Sequence, residues 1–334
     1  MSFKTQTEET FSSIVLRFRE PIKVFLERLK TPRLRAERLD RKTFKVTFDK
    51  KLFVRFVRLL KRNGLEHLIA KIYYKGLIFY GLGDFLEYYF HSRLEEWIEE
   101  RGYPFRYQKI FDSSGRCVGF EILFDFPPGF NAVDIKDFEV ATADLDLLIV
   151  SAALRAVSRL VLDRREDFTG DKLVFLNLFP TTLTDPIFGL LFLKLRDESY
   201  LNHLVVEVLE YRIFDKSSFT RVLSSLRDNG VKVAIDDWGS ENAGITRIIL
   251  TNPDFLKIDK SITWSRLGRK LVKPFIRTLQ RELRIKVIVE GVDCEIHKKW
   301  AQSVGAYMQG YYLHKPQPLM DLGEFQTPGD NGDG

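Results

Sequence analysis

The sequence has few cysteines and no long apolar segment. Only Cys117 and Cys294 occur among 334 residues, far apart and without a CxxC or histidine-rich neighbourhood, so neither a disulfide framework nor a zinc site is predicted. No apolar run approaches the ~20 uncharged residues that a membrane-spanning helix requires, and the opening residues are polar and partly acidic. These absences predict a soluble protein that stays in the cytoplasm.

Apolar residues are plentiful, and charge is unevenly distributed. The chain is 45% apolar and has 28 Phe, which is enough for a large core. Residues 1–80 contain 20 Lys+Arg against 8 Asp+Glu, a net charge of +12 that leaves −6 for the rest of the chain. This asymmetry predicts two functional regions: a basic region that faces an acidic partner, and an acidic region that can hold metal.

The basic region, residues 1–83, is predicted to be mainly helical, with a helix from about Lys51 to Lys75. Apolar residues recur there at helical spacing and face a stripe formed by Lys51, Arg55, Arg58 and Arg62. The stripe is either a solvated helix face or a surface for nucleic acid or anionic membrane. We expect the region to regulate the protein, by docking on the acidic remainder of the chain or by binding an acidic partner.

From about residue 84 the pattern changes to helices that alternate with strands. A helix near Asp84–Glu100 precedes two strands, Phe105–Phe111 and Arg116–Phe124, which read as a hairpin. Further apolar runs follow at Leu173–Leu178, Leu204–Leu209, Val231–Ile235, Phe255–Ile258, Lys286–Val289 and Tyr307–Tyr312. Continuous apolar runs are typical of parallel strands covered on both faces. Residues 323–334 are rich in Gly and Asp and are predicted to be disordered.

Polar residues lie within or just after these runs. They are Asn177, Glu207, Asp236, Asp237, Lys257 and Glu290. A carboxylate in such a place is costly unless it is paired or bound to metal. In a barrel of parallel strands the carboxyl ends meet on one face, which holds the active site. The sequence therefore predicts one acidic site.

The chemistry of the site follows from its donors. Carboxylates and an amide oxygen, without Cys or His, suit Mg²⁺ or Mn²⁺. The adjacent Asp236 and Asp237 can flank two ions, the arrangement that activates water for in-line attack on phosphorus. Phosphodiester hydrolysis is the reaction class that this set favours.

An ordered series of motifs carries a family resemblance. They are Tyr107-Gln108-Lys109-Ile110, Gly119-Phe120-Glu121-Ile122-Leu123, Leu176-Asn177-Leu178, Glu207-Val208-Leu209-Glu210, Asp236-Asp237-Trp238-Gly239, Leu256-Lys257-Ile258-Asp259, Val289-Glu290-Gly291-Val292-Asp293 and Gln309-Gly310-Tyr311-Tyr312. In this order they resemble the EAL domain of cyclic-di-GMP phosphodiesterases. The resemblance implies an α/β fold, a TIM-like (β/α)8 barrel over residues 84–322, preceded by the smaller, mainly helical region.

The resemblance also implies a function and roles for individual residues. The function is metal-dependent hydrolysis of cyclic di-GMP to linear pGpG with two ions, Mg²⁺ or Mn²⁺, in a homodimer. One ion would be held by Glu121, Asn177, Glu207 and Asp236, and the second by Asp236 and Asp237. The catalytic residues would be Lys257, Glu290, Asp237 and Gln309. The residues that face the substrate would be Gln108, Leu123 and Asp125. Glu210 would anchor a loop.

Two departures favour another interpretation. Asp125 stands where the family motif supplies an arginine to a substrate phosphate, and a carboxylate there repels an anion. The loop at residues 239–244 loses a glycine and gains Glu241. The alternative function is therefore a weak or inactive barrel that acts as a cyclic-di-GMP receptor or a protein-interaction module. No diguanylate-cyclase signature occurs in residues 1–85, so synthesis of the dinucleotide is not predicted.

Overall fold

Alternation of apolar and polar residues over Leu34–Arg38 and Thr43–Asp49 favours β-strands in the N-terminal part of the chain. The computed structural model describes residues 11–19, 30–31, 33–129, 131, 142–162, 172–189, 199–209, 215–240 and 244–319. In the first part lie β1 (Phe11–Phe18), β2 (Lys30–Thr31), β3 (Leu34–Arg38), β4 (Thr43–Asp49), β5 (Ile69–Tyr74) and β6 (Leu77–Phe79). They pair in the order β2-β3-β4-β1-β5-β6, and every pairing is antiparallel.

The prediction that residues 1–83 are mainly helical is therefore wrong for the described residues. Helix α1 (Phe53–Arg62) confirms the first half of the predicted Lys51–Lys75 helix. It ends before Gly64, whose φ of +63° is the left-handed conformation that stops a helix, and β5 follows. The period of two along β1, β3 and β4 decides the structure there.

One face of this sheet is covered by aromatic packing. Phe48 of β4 contacts Phe53 and Phe56 of α1, with ring centroids 5.2 and 6.5 Å apart. Helix α2 (Leu82–Arg101) adds Phe85 and Tyr89, which pack on Phe53. The compact unit to which these elements belong comprises residues 1–97 and 126–142, so the division in the chain falls later than the predicted boundary at residues 83/84.

The second unit, residues 98–125 and 143–334, contains a closed barrel. Its strands are β7 (Phe105–Phe111), β8 (Cys117–Phe124), β9 (Leu173–Leu178), β10 (Leu204–Val208), β11 (Lys232–Trp238), β12 (Phe255–Ile258), β13 (Lys286–Val289) and β14 (Tyr307–Met308). Strands β8 to β14 are parallel, while β7 is antiparallel to both neighbours and closes the ring against β14. A short β15 (Gln317–Pro318) pairs with β7. The predicted TIM-like α/β barrel is confirmed.

Helices connect these strands on the outside of the barrel. They are α3 (Thr142–Leu162), α4 (Pro180–Leu183), α5 (Lys216–Asp228), α6 (Ile245–Thr251), α7 (Lys260–Trp264), α8 (Arg266–Arg281) and α9 (Glu295–Ser303). Within the described ranges, no helix has the length and apolarity that a membrane span requires. The core has an outer layer between strands and helices and an inner cluster inside the barrel.

Candidate active site

Five of the polar residues form one layer because each lies two positions after an apolar residue of the barrel interior. On β9, Phe175 belongs to the inner cluster and Asn177 follows it, and on β10 Val205 is followed in the same way by Glu207. The same pairing recurs as Ala234 and Asp236, Phe255 and Lys257, and Ile288 and Glu290. Since alternate strand residues face the same side, apolar side chains form the floor and polar side chains stand above it.

Amide side chains fix the orientation of Glu121. Strands β7 and β8 place Gln108 directly opposite Glu121. Gln309 donates from Nε2 to Glu121 Oε2 at 2.5 Å and to Gln108 Oε1 at 3.1 Å, and Asn177 Nδ2 donates to Glu121 Oε1 at 2.8 Å. Gln108 in turn donates to the carbonyl oxygen of His314 at 2.9 Å. Glu121 is therefore held in one rotamer before any ligand arrives.

An irregularity in β11 turns two adjacent aspartates toward the site. In a regular strand Asp236 and Asp237 would face opposite sides. The register of β11 against β12 shifts between Ile235 and Trp238, and Asp237 has φ of +51°, a conformation that is costly outside glycine. Carboxylate oxygens of Asp236, Asp237 and Glu290 consequently lie within 4.8 Å of one another.

The ammonium group of Lys257 lies at the centre of the acidic layer. Its Nζ is 3.0 Å from oxygens of Glu207, Asp236 and Glu290 and 3.2 Å from Glu121 Oε2. The side chain is only 1% exposed. One buried cation therefore faces four carboxylates, and this excess of negative charge must be relieved by protons or by further cations.

The pKa values of the carboxyl groups reflect this excess of negative charge. Burial, together with the charge of Glu121, raises the pKa of Glu207 well above its usual range. Burial also raises the pKa of Glu290 to about 8 and that of Asp237 to about 6, with the negative charge of Asp236 acting in the same direction. Against its own burial, the charge of Lys257 keeps the pKa of Glu121 low. Without metal, the site would therefore keep protons on some of its carboxyl groups near neutral pH.

The residues present fit a divalent cation that prefers oxygen. Among the described residues, buried acceptors without a donor include Asn177 Oδ1, Glu207 Oε1 and Gln309 Oε1, all in this layer. Buried oxygens that lack a partner are expensive, and a cation would satisfy them. The donors are carboxylates and amides, which Mg²⁺ and Mn²⁺ prefer.

A cavity of about 320 Å³ opens above the layer. Sequence reasoning did not predict its rim, which includes Lys260, Trp264, Asp293 and Tyr311. Trp264 is 51% and Tyr311 61% exposed, and Trp264 Nε1 donates to the carbonyl oxygen of Gly291 at 2.9 Å. Trp264 and Tyr311 lie within six residues after the ends of β12 and β14, and aromatic residues in these positions were the signal that could have identified this rim.

Asp125 has a cation beside it. Arg106 Nε lies 3.2 Å from Asp125 Oδ1, with both side chains partly exposed. On β7, Arg106 is two residues before the inward-facing Gln108 and so lies on the same face of the strand. The strand register places it opposite Leu123, which is half-buried. A positive charge is therefore present near position 125, but it comes from the neighbouring strand.

The structure places Gln108 and eight other predicted site residues in one site. These eight are Glu121, Asn177, Glu207, Asp236, Asp237, Lys257, Glu290 and Gln309. Leu123 and Asp125 follow Glu121 toward the end of β8, and their roles stay predictions. Glu210, the predicted loop anchor, Glu241 of the altered loop and residues 323–334 lie outside the described residues.

An eight-stranded α/β barrel with a layer of carboxylates at the carboxyl ends of its strands belongs to the class of TIM-like barrels, whose sites lie at this face. The family model of the EAL domain matches residues 91–316, about two thirds of the chain. The chain therefore belongs to the EAL domain family.

Three similar proteins illustrate the relationship. "Probable cyclic di-GMP phosphodiesterase PdeI" of Escherichia coli is 34% identical over 162 residues, which are 47% of this chain and 21% of that protein. The Bacillus subtilis YkuI protein, solved with an EAL domain in complex with substrate c-di-GMP and calcium, has a TM-score of 0.53 at 26% identity, covering 66% of this chain and 58% of the other. The EAL enzyme Bd1971, solved with cAMP and cyclic di-GMP, has a TM-score of 0.61 at 20% identity, covering 85% and 81%, and supports the fold alone.

The chain spans less than half the length of the first curated relatives that it matches, at 21%, 46% and 30%.

Proposed function

We propose that the barrel hydrolyses cyclic di-GMP to linear pGpG with the help of two divalent ions, Mg²⁺ or Mn²⁺. The observation that carries the proposal is the complete polar layer, in which Glu121, Asn177, Glu207, Asp236 and Asp237 offer oxygens to metal. Membership of the EAL family, and relatives named for this activity, support the choice of substrate. Location in the cytoplasm stays a prediction.

The polar residues of the layer have different proposed roles. Glu121, Asn177, Glu207 and Asp236 would hold one ion, and Asp236 with Asp237 the second. A bound divalent ion lowers the pKa of a coordinated water and stabilises charge on a phosphate. Lys257 balances the carboxylates and is placed to stabilise negative charge that develops on the phosphate. By the family resemblance, Glu290 would act as the acid–base group and Gln309 would help to hold the water. Glu290 suits this role because burial raises its pKa to about 8.

Arg106 completes the site as the cation for a substrate phosphate. A dianionic substrate that approaches so many carboxylates needs a positive group at the mouth, and an arginine offers a bidentate contact. Arg106 lies on the face of β7 that carries Gln108, and its guanidinium is already at Asp125. We infer that the arginine missing from position 125 is replaced by Arg106.

The decisive experiment for the proposed function is a turnover assay. Pure protein is incubated with cyclic di-GMP and Mn²⁺ or Mg²⁺, and linear pGpG is measured by chromatography. We expect product from the unmodified chain and none from Glu121→Ala, which should also lose metal binding in calorimetry. Calcium should permit substrate binding and suppress turnover, because its coordination is looser. Tight binding of the dinucleotide without product in any metal would instead support the receptor function.

We also propose that the barrel forms a homodimer through α6. Ile245 and Ile249 lie one turn apart on this helix and are 60% and 75% exposed, and exposed apolar groups of this kind mark interaction sites. We propose a second copy of the chain as the partner, because an isologous interface would pack Ile245 and Ile249 against the same residues of the other copy. Ile249→Glu should convert the dimer to a monomer in light scattering, and an unmodified chain that is already monomeric would refute the proposal.

A further inference from the structure

The face of the N-terminal sheet opposite the one that packs against α1 has a regular arrangement of cations and apolar groups. In an antiparallel sheet, paired residues lie on the same face, so the strand registers identify the members of this face. Its cations are Arg17 of β1, Arg35 of β3, Lys45 of β4 and Lys71 of β5. Arg17, Arg35 and Lys45 are exposed and Lys71 is half-buried. The acidic residues on this face within the described strands are Glu37, which lies opposite Lys45, and Asp49, which is buried at the end of β4.

Two of these cations oppose each other directly. Arg17 pairs with Lys71 across β1 and β5, although like charges in this position destabilise a sheet. Among the described residues, Arg17, Arg35 and Lys45 form no ion pair, and Lys71 Nζ lies 5.2 Å from the ring centroid of Tyr80. These positive charges are therefore available to an anionic ligand.

An apolar row crosses the same face between the cations. Val15 pairs with Tyr73, and Tyr73 pairs with Ile78, so the three side chains lie side by side on β1, β5 and β6. Lys45 continues the row on β4, opposite Val15. Arg17 and Lys71 form the next row, two residues along the strands or about 7 Å away.

We propose that this face, which we call the basic sheet face, binds single-stranded nucleic acid. Single strands combine phosphates, which cations neutralise, with flat bases, which stack on aromatic and apolar side chains. On the basic sheet face, phosphates would lie along Arg17, Lys45 and Lys71, and bases would rest on Val15 and Tyr73. An anionic membrane is a poorer match because Val15 and Tyr73 are half-buried in the middle of the sheet, below the longer cations.

The test uses the full chain and a fluorescently labelled oligothymidylate, with anisotropy measured over a series of KCl concentrations. The face variant is Arg17→Gln/Lys45→Gln/Lys71→Gln. Its matched control, Lys51→Gln/Arg55→Gln/Arg62→Gln, removes the same charge from α1 and the turn before it, where these three residues are exposed. Thermal melts followed by circular dichroism show that both variants are folded.

We expect the unmodified chain to bind with a strong salt dependence and the face variant to bind at least tenfold more weakly. Its slope of log K against log salt should be smaller by about 2, since each phosphate contact to a single strand contributes roughly 0.7. The helix control should keep its affinity within about twofold, and Tyr73→Leu should weaken binding about fivefold without changing the salt slope.

Three results would overturn the proposal. The first is an equal loss of affinity for the single strand in the face variant and the helix control, which would indicate that binding depends on net charge alone. The second is preference for a duplex or for phosphatidylserine vesicles over the single strand. The third is no binding by the unmodified chain. Hydrolysis of cyclic di-GMP, measured in parallel, should be the same in all these proteins, so the outcome is independent of the function proposed for the barrel.

Discussion

The barrel layer and the basic sheet face show two ways in which a protein accommodates like charges. In the barrel, four carboxylates surround Lys257 at 3.0–3.2 Å, three of them buried and that of Glu290 18% exposed. On the sheet, Arg17 and Lys71 oppose each other near solvent. Water screens exposed charges, whereas buried charges need a partner within contact distance. The barrel therefore has its counter-charge built in, while the sheet can leave its counter-charge to a ligand.

Removing the buried counter-charge should give the largest effect. Lys257→Met leaves four carboxylates without their cation, and we expect a loss of about 3–5 kcal/mol in unfolding free energy without metal. Mn²⁺ should restore much of this loss by taking over the charge. Urea unfolding with EDTA and with Mn²⁺ measures both effects. Lys260→Met, at the exposed rim, is the control and should change stability by less than about 1 kcal/mol. Equal stability of both variants would mean that the layer does not depend on its lysine.

The buried carboxyl group of Asp146 should have a smaller effect on stability, and this effect should depend on pH. Burial raises the pKa of Asp146 to about 7, although its carboxylate accepts a hydrogen bond from Phe179 N at 3.0 Å. The folded state therefore holds a proton that the unfolded state releases from about pH 4 upward, so this group makes stability fall as pH rises from about 4 to 7. Asp146→Asn should remove that fall and be more stable than the parent at about pH 8, by up to roughly 4 kcal/mol.

The control for this experiment is Asp215, an exposed acid that caps α5. Its carboxylate accepts from Ser217 N and Ser218 N, and hydrogen bonds from Ser218 and Ser217 keep its pKa below the usual range. Its stabilisation is complete above about pH 4. Asp215→Asn should therefore cost the same at about pH 5 and pH 8. If Asp146→Asn showed the same lack of pH dependence, its carboxyl group would not be titrating as described.

The half-exposed pair at the mouth of the barrel should give an intermediate effect. If Arg106 contacts a substrate phosphate, Arg106→Gln should weaken binding of cyclic di-GMP in Ca²⁺ about tenfold, equivalent to ~1.4 kcal/mol. The swapped variant Arg106→Asp/Asp125→Arg should recover most of the affinity, because the pair would be reversed with the cation kept at the mouth. Failure of the swap, with Arg106→Gln unchanged from the parent, would remove Arg106 from the substrate site. Titration calorimetry measures all three proteins.

The smallest effect concerns the like-charged pair of the sheet. Lys71→Gln removes the repulsion from Arg17 directly opposite, and we expect stability to rise by about 0.2–1 kcal/mol at low salt. The gain should disappear in high salt because screening already weakens the repulsion. Thermal melts of the parent and Lys71→Gln at two KCl concentrations test this, and a loss of stability in both would mean that Lys71 stabilises the sheet through its contact with Tyr80.

The sequence predicted the barrel well because its strands are buried on both faces. The bounds predicted for β7, β9, β12 and β13 agree with the structure, and the layer of Glu207, Asp236 and Lys257 followed from their place in the apolar runs. The N-terminal strands were not predicted, because the helical spacing of apolar residues after Lys51 was extended to the whole region although it is confirmed only for α1.

Two features of the site could not be read from the chain alone. The bulge that turns both Asp236 and Asp237 inward depends on the register of β11 against β12. The partnership of Arg106 with Asp125 depends on the register in which β7 pairs with β8, which the predicted hairpin alone does not give. Both are consequences of strand pairing, which local patterns do not specify.

The ammonium group of Lys257 also bears on how the protein matures. Small zinc domains cannot fold until the ion arrives, because nothing else holds their ligands together. Here the chain supplies its own cation to Glu121, Glu207, Asp236 and Glu290, so a newly made barrel can close in a medium poor in divalent ions. Assembly and activation then become separate events. The supply of metal would then determine the number of active molecules, whereas protein synthesis would determine the number of folded molecules.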